Sequence, residues 1–273
     1  MEFENIGFRD FMTEIYRSSF LSARYKPFDN VAGFIKNESE VVLFDKNLYD
    51  KYKNDFSKIK IFDYTEEEYL EFKKLKLTHN RVKNHITISK FDADFFKLEG
   101  GKLKPFRYRK RWYTEKEPIE IRNRPNSTEE VIEFIYKWKK IREGAHFQFF
   151  IGYDINFFKN NYEKYKDNII EKYFYKDDIL IGYCIVEKVS RNLYNLIFRK
   201  TDTNVRDSCL FVDYMTFESI WNDIQEPFLV NLEGDVGEKG MREYKEKFPL
   251  FKSVTSIDIK ITSEKLTKTE PLW

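Results

Sequence analysis

The stretch KLKPFRYRKRWYTEK, residues 102–116, carries seven Lys or Arg and four aromatic residues in fifteen positions, with a single Glu. Guanidinium groups grip phosphates through a two-pronged fork, and Tyr or Trp rings stack on exposed bases. Lys102, Lys104, Arg107, Arg109, Lys110 and Arg111 are therefore a candidate polyanion-binding set. Pro105 suits the first turn of a helix. From there Phe106, Arg109 and Tyr113 share one face, and Arg107 and Lys110 share another. The plainer alternative is a solvated helix with its rings inward and its charges in water.

Other chemistry is sparse. His79, His85 and His146 lie far apart without metal-type spacing, and Cys184 and Cys209 form no CxxC pair, so no metal site is expected. There is no Ser/His/Asp order, phosphate-binding loop of the Walker type or dinucleotide fingerprint. Both cysteines sit in apolar runs and read as buried free thiols of a reducing compartment. At a helix start Cys209 could be a nucleophile, but its neighbours Leu210 and Phe211 favour packing.

The elements that must position such residues can be read from patterning. With 41% hydrophobic and 18% aromatic residues, the 273-residue chain has ample material for a core. Its 48 basic and 46 acidic residues leave a net charge of +2, so a polyanion site must come from local clustering. No apolar run is long enough for a membrane span, and the N-terminal residues lack a signal-type apolar stretch; a cytoplasmic protein is expected.

In residues 1–125, EVVLFD (40–45), IKIFDY (59–64), HITISKF (85–91) and PIEIRN (118–123) read as strands. NLYDKYKNDF and EEEYLEFKKL read as helices. Ser127 followed by Glu130 forms a capping box, placing a helix at 128–142 and a boundary between halves 1–125 and 126–273. A second helix is expected to open at Asp154. Then come a hairpin (IIEKYFY, KDD, ILIGYCIVE), a third strand (NLYNLIFRK) and a helix with Leu210, Tyr214, Phe217 and Trp221 on one face. A strand (PFLVNL), a helix (EKGMREYKEKF) and an alternating last strand (SVTSIDIKI) complete the order ααβββαβαβ.

That order resembles the GNAT acyltransferase fold. Within it, NLEGDVGEKGMREYKEKF (231–248) is similar to the closing motif of the Fem-like and lysylphosphatidylglycerol-synthase-like subgroup, through Asn231, Gly234, Gly237, Gly240, Lys245, Lys247 and Phe248. FFKLEGGKLKPFRYRKRW resembles the subgroup's Leu-x-Gly-Lys…Arg segment, through Leu98, Gly100, Gly101, Lys102, Arg107, Arg109 and Arg111. The resemblance implies an α/β (α+β) chain of two tandem GNAT-like halves. Each is a mixed, mostly antiparallel twisted sheet flanked by helices.

It also implies an N-acyltransferase that moves an acyl or aminoacyl group to an amine. The donor would be acetyl-CoA or another acyl-CoA, or aminoacyl-tRNA, inserted between splayed fourth and fifth strands. The turn RKTDTNVRDS (199–208) would then face the donor, with Arg199, Lys200, Thr203, Asn204 and Arg206 as contacts, although it lacks the glycines of the usual phosphate cradle. Asn231 would be a donor contact or a structural hydrogen-bonding residue. Tyr244 would be the general acid or a core tyrosine. Glu233 would polarise the amine or cap the next helix, and Asp235 is expected to cap. The competing reading is a non-catalytic nucleic-acid-binding module on a degenerate GNAT scaffold, with tRNA or DNA as partner. A third is an interaction protein with exposed aromatics.

Overall fold

The computed structural model describes residues 8–17, 26–28, 33–37, 40–44, 48–52, 55–56, 58–62, 83–142, 151–235 and 237–260. In chain order the elements begin α1 (Phe8–Tyr16), β1 (Lys26–Phe28), β2 (Gly33–Asn37), β3 (Glu40–Leu43), α2 (Tyr49–Tyr52), β4 (Lys58–Phe62) and β5 (Lys83–Phe91). There follow α3 (Ala93–Lys97), α4 (Lys104–Arg111), β6 (Glu120–Arg122), α5 (Thr128–Ile141), α6 (Ile151–Asn156), α7 (Tyr162–Tyr165), β7 (Ile169–Lys176), β8 (Ile179–Ser190) and β9 (Leu193–Thr201). The last are α8 (Ser208–Ile224), β10 (Phe228–Gly234), α9 (Lys239–Lys245) and β11 (Leu250–Lys260). None of the described helices is long and apolar enough to cross a membrane.

The chain forms two compact units. One comprises Met1–Thr87, Gly234–Tyr244 and Lys252–Trp273; the other comprises Ile88–Glu233 and Lys245–Phe251. The expected boundary at residue 125 divides the chain into two GNAT-like halves, whereas compactness groups the residues differently.

In the first unit, β1, β2 and β3 form an antiparallel meander, β4 runs parallel to β3, and β11 pairs antiparallel with β4. The runs at 40–45 and 59–64 thus become β3 and β4 as expected, and among the described residues of NLYDKYKNDF the helix is the single turn α2. The helix expected at EEEYLEFKKL lies outside the described residues. On α1, Met12, Ile15 and Tyr16 are buried, and the Tyr16 ring stacks on Phe34 at 5.2 Å. A side chain at Gly33 would meet the Val42 carbonyl oxygen at 2.0 Å, so only glycine fits beside β3.

Asp235 gathers the end of this unit. Its carboxylate accepts from the backbone N–H of His85 at 2.8 Å and of Gly237 at 3.0 Å, and from Arg242 Nε at 2.7 Å. His85 Nδ1 lies 3.2 Å from its second oxygen. The expected cap is therefore a wider clamp across 150 residues of sequence. Burial alone would raise the Asp235 carboxyl, but the two backbone amides and the Arg242 guanidinium outweigh it and hold the group below the usual carboxylate range.

The second unit is a sheet in which β6, β7, β8 and β9 are antiparallel neighbours and β10 is parallel to β9. All elements expected between 128 and 234 are present in the expected order. The β7–β8 hairpin turns on Asp177 and Asp178, both left-handed at φ 52° and 59°, as a two-residue loop needs to match strand twist. Ser127 Oγ accepts from the Glu130 N–H at 3.1 Å, which fixes the start of α5. The reciprocal half of the capping box is absent: Glu130 accepts from the Tyr175 hydroxyl at 2.7 Å instead.

Two expectations need correction. Asp154 does not open a helix; it lies within α6, only 1% exposed, where it accepts from the Tyr183 hydroxyl at 2.7 Å and pairs with Lys200. A buried tyrosine and lysine demand that carboxylate more than a helix terminus does. On α8, burial extends beyond the expected stripe to Phe211, Val212, Asp213, Thr216 and Ile220. Its rings join a cluster around Phe91, which meets Phe217 at 4.7 Å, Phe228 at 5.3 Å and Phe248 at 6.1 Å.

Two outcomes follow. Ser127→Ala should destabilise the fold by about 1 kcal/mol, read as a lower denaturation midpoint at unchanged m-value. Asp235→Asn should destabilise at neutral pH. Because the folded-state pKa is depressed, the contribution is present above about pH 4 and lost as pH falls further, so the two melting curves should converge in acid. A gap that stays constant to pH 2 would contradict the assigned clamp.

Candidate functional site

The pairing of β9 with β10 is short. Leu229 faces Leu193, Val230 faces Tyr194 and Asn231 faces Asn195; no further pairs join these two strands, although β9 runs on to Thr201 and β10 to Gly234. Two features accompany the parting. On β9, Ile185 pairs with Phe198 and Val186 with Leu196, so Ile197 is an extra residue bulged out of the ladder. On β10, Glu233 adopts a left-handed φ of 61°. Both strands thus change course just beyond Asn195 and Asn231, leaving the facing peptide groups of β9 without β10 as a partner.

Asn231 holds this junction. Its Nδ2 donates to Asn195 Oδ1 at 2.8 Å and lies 3.3 Å from Glu233 Oε1, while its Oδ1 accepts from the Glu233 N–H at 3.1 Å. The buried Lys245 donates from Nζ to the Glu233 carbonyl at 2.6 Å. The left-handed turn of Glu233 is therefore fixed by an amide on one side and an ammonium on the other. Register places a third polar residue in line: Glu187 faces Asn195 on β8, as Asn231 does on β10. Residues paired in register share a face, so Glu187, Asn195 and Asn231 form one row across three strands. They are 1%, 1% and 2% exposed. Glu233 is exposed at the end of the row.

The turn from β9 into α8 is not a phosphate cradle of the usual kind. The N–H of Asn204 is taken by the Asp202 carboxylate at 2.8 Å, that of Ser208 by the Val205 carbonyl, and that of Leu210 by the Asp207 carbonyl. Asp207 is left-handed at φ 51° without glycine's freedom. Of the expected donor contacts, Arg199 Nη1 pairs with the buried Asp213 at 2.5 Å and Lys200 with Asp154, so both charges face the interior. Thr203, Asn204 and Arg206 are on the surface.

The basic stretch forms α4 and a π-helical continuation over Trp112–Lys116. Phe106 and Tyr113 point into the core, at 1% and 2% exposure. Arg109 pairs with Asp207, and Lys110 with Glu218 at 2.6 Å, so two of the six cations are matched by carboxylates at α8. Arg107 donates to the Leu98 carbonyl at the end of α3, where the helix leaves carbonyls over. Arg111 pairs with Glu115 at 3.0 Å on the surface. Lys102 and Lys104 are exposed, and Tyr108, half exposed, stacks on Trp112 at 5.9 Å.

Tyr244 is half-buried on α9 and belongs to the first unit, whereas Glu233 belongs to the second. Cys184 is buried as expected, and burial pushes its thiol well up; Cys209, in the first turn of α8, is only partly buried. Sequence reasoning missed Glu187, Asn195 and the Asp154–Lys200–Tyr183 group. A signal existed for the first two, since each interrupts an apolar strand at an inward-phased position.

No protein-family profile matches the sequence, and no curated protein does. Solved structures do. A conserved protein of unknown function from Bacteroides thetaiotaomicron superposes with a TM-score of 0.60 at 11% identity, over 93% of this chain and 90% of that one. The C-terminal domain (DUF2156) of a putative lysylphosphatidylglycerol synthetase from Agrobacterium fabrum gives 0.52 at 12%, over 92% and 93%. L-PGS from Bacillus licheniformis gives 0.50 at 13%, over 96% and 94%. At such identities the likeness concerns the fold. The chain has a GNAT-like, mixed and mostly antiparallel α/β architecture of the kind found in lysylphosphatidylglycerol synthetase domains.

Proposed function

We propose that this chain is an N-acyltransferase of the Fem-like and lysylphosphatidylglycerol-synthase-like subgroup. In this reading it is built from two GNAT-like halves, 1–125 and 126–273, and acts in the cytoplasm. It joins an acyl or aminoacyl group to an amine. The observation that carries the reading is the three-residue β9–β10 pairing followed by a wedge. Peptide groups of β9 beyond Asn195 line that wedge in a fixed array, which suits a carbonyl whose oxygen becomes negative as the amine adds. Asn231 would keep the wedge open and oriented through its bond to Asn195.

The turn at 202–208 favours an aminoacyl ester over acyl-CoA. Two carboxylates, Asp202 and Asp207, stand where a pyrophosphate would need amides and positive charge, and the glycines are missing. An aminoacyl-tRNA donor asks nothing of that turn. Its phosphates suit the exposed Lys102, Lys104 and Arg111 beside the Tyr108–Trp112 stack. Thr203, Asn204 and Arg206 remain candidate donor contacts, as do Glu233 and Tyr244 for acid–base work. The second reading, a nucleic-acid-binding module without catalysis, is favoured by the inward-facing Arg199 and Lys200.

The two readings separate in one assay. Protein incubated with labelled acetyl-CoA or labelled aminoacyl-tRNA, plus a primary amine, should transfer label from at least one donor. Asn231→Ala should lower that rate about 100-fold, as expected when reacting groups are misplaced by an ångström. If neither donor transfers label or raises Tm, the transferase reading falls. Salt-dependent oligonucleotide binding, with log Kd linear in log salt, would then support the second.

A further inference from the structure

Beyond Asn195, β9 keeps β8 as its partner on one edge, while β10 has left the other. Whatever else fixes this stretch must act on its two faces, and successive residues of a strand point to opposite faces. Arg199 and Lys200 do so. Arg199 reaches α8, where its Nη1 donates to the fully buried Asp213 at 2.5 Å. Lys200, 8% exposed, reaches α6, where its Nζ donates to Asp154. Strand register carries the same division to β8. Tyr183 faces Lys200, and its hydroxyl donates at 2.7 Å to the Asp154 oxygen that Lys200 also uses. Cys184 faces Arg199 and meets Thr216 of α8. A third hold comes from α5: Trp138 Nε1 donates to the Thr201 carbonyl at 3.1 Å, and its ring lies 5.0 Å from Lys200 Nζ.

Stability alone does not call for this arrangement. Mutual attraction in a buried ion pair offsets the lost hydration only in part, and apolar side chains of similar volume often hold a fold equally well. An apolar pair lacks direction, whereas each ion pair ties one residue of β9 to one atom of a neighbouring helix. We propose that Lys200–Asp154 and Arg199–Asp213 are positioning pairs, which hold the β10-free part of β9 in the geometry that a reacting carbonyl needs. The inference rests on the transferase reading and gives both cations a task other than donor contact. Their side chains are turned to interior carboxylates, so they act through the peptide groups of the strand they clamp. Misplacing such an array by one ångström costs a rate on the order of 100-fold.

The test compares the full wild-type chain with Asp154→Asn/Lys200→Met. That double variant removes both charges, keeps side-chain size and leaves the Tyr183 hydroxyl an acceptor. It should melt close to the wild-type temperature. Native-state amide exchange should lose protection at least about tenfold at Phe198–Thr201 and stay within about twofold at Leu193–Asn195, where β10 is paired. With the donor that wild type uses, kcat should fall at least about tenfold and KM change by no more than about twofold. Lys200→Arg, which keeps the ion pair, should retain most of the protection and rate. If the double variant does not fold, Asp154→Leu/Tyr183→Phe/Lys200→Met, which leaves no polar side chain in the cluster, takes its place. Protection that is unchanged, or lowered by one factor at every slowly exchanging amide, overturns the proposal. So does selective loosening at Phe198–Thr201 with wild-type kcat. Wild-type protein that transfers label from neither donor sinks the transferase reading instead, and the exchange pattern then decides by itself whether the pairs position β9.

Discussion

The structure of the second unit turns on one short contact, the three-residue parallel pairing that joins β10 to β9. Parallel ladders gain stability with every residue added, so stopping after three requires something to hold the strands apart. Two local distortions do so, the bulge at Ile197 and the left-handed Glu233. Each costs conformational free energy, on the order of 1–3 kcal/mol for a non-glycine residue at positive φ. The left-handed Glu233 is over-determined by its neighbours. Asn231 binds Glu233 by its amide, Lys245 binds the Glu233 carbonyl, and Asn195 fixes Asn231. Strain held by buried hydrogen bonds is a costly way to end a strand, and it leaves peptide groups of β9 beyond Asn195 without β10 as a partner.

Charge placement in the same unit follows a consistent rule: cations that a polyanion site would use are largely spent on structure. Arg199 and Lys200 neutralise Asp213 and Asp154 inside the unit. Arg109 and Lys110 tie α4 to carboxylates at α8, and Arg107 closes the end of α3. In the basic stretch Lys102, Lys104 and Arg111 stay outward around a stacked Tyr108–Trp112 pair, with Arg111 paired to Glu115 at the surface. A charge-rich segment of sequence is thus mostly scaffold, with a small polar and aromatic margin left over for recognition.

Local patterns in the sequence were a good guide to the elements. Ser127 at a helix start, the Asp177–Asp178 turn between alternating strands and the periodicity of α8 all rest on interactions within a few residues. They appear where expected. The closing motif was legible as a motif but not as a mechanism. Asn231, Lys245 and Phe248 prove to be one support for the strand end, through two hydrogen bonds and a ring cluster. Asp154 misled because a polar residue ahead of an apolar run looks like a cap, whereas its partners Tyr183 and Lys200 lie 29 and 46 residues away. Glu187, Asn195 and Asn231 meet only through strand register, and His85 meets Asp235 only after 150 residues. Register and long-range burial are decided by the packed chain, and single-sequence patterning carries little of either.

The central claim is the wedge, and cross-strand proton–proton contacts measure it most directly. In isotope-labelled protein, NOEs between β9 and β10 should be strong from Leu193/Leu229 through Asn195/Asn231 and vanish beyond them. A ladder of contacts continuing past Asn231 to Glu233 and Gly234, opposite Ile197 and Phe198, would mean the strands stay zipped, and the account built on their separation would fail.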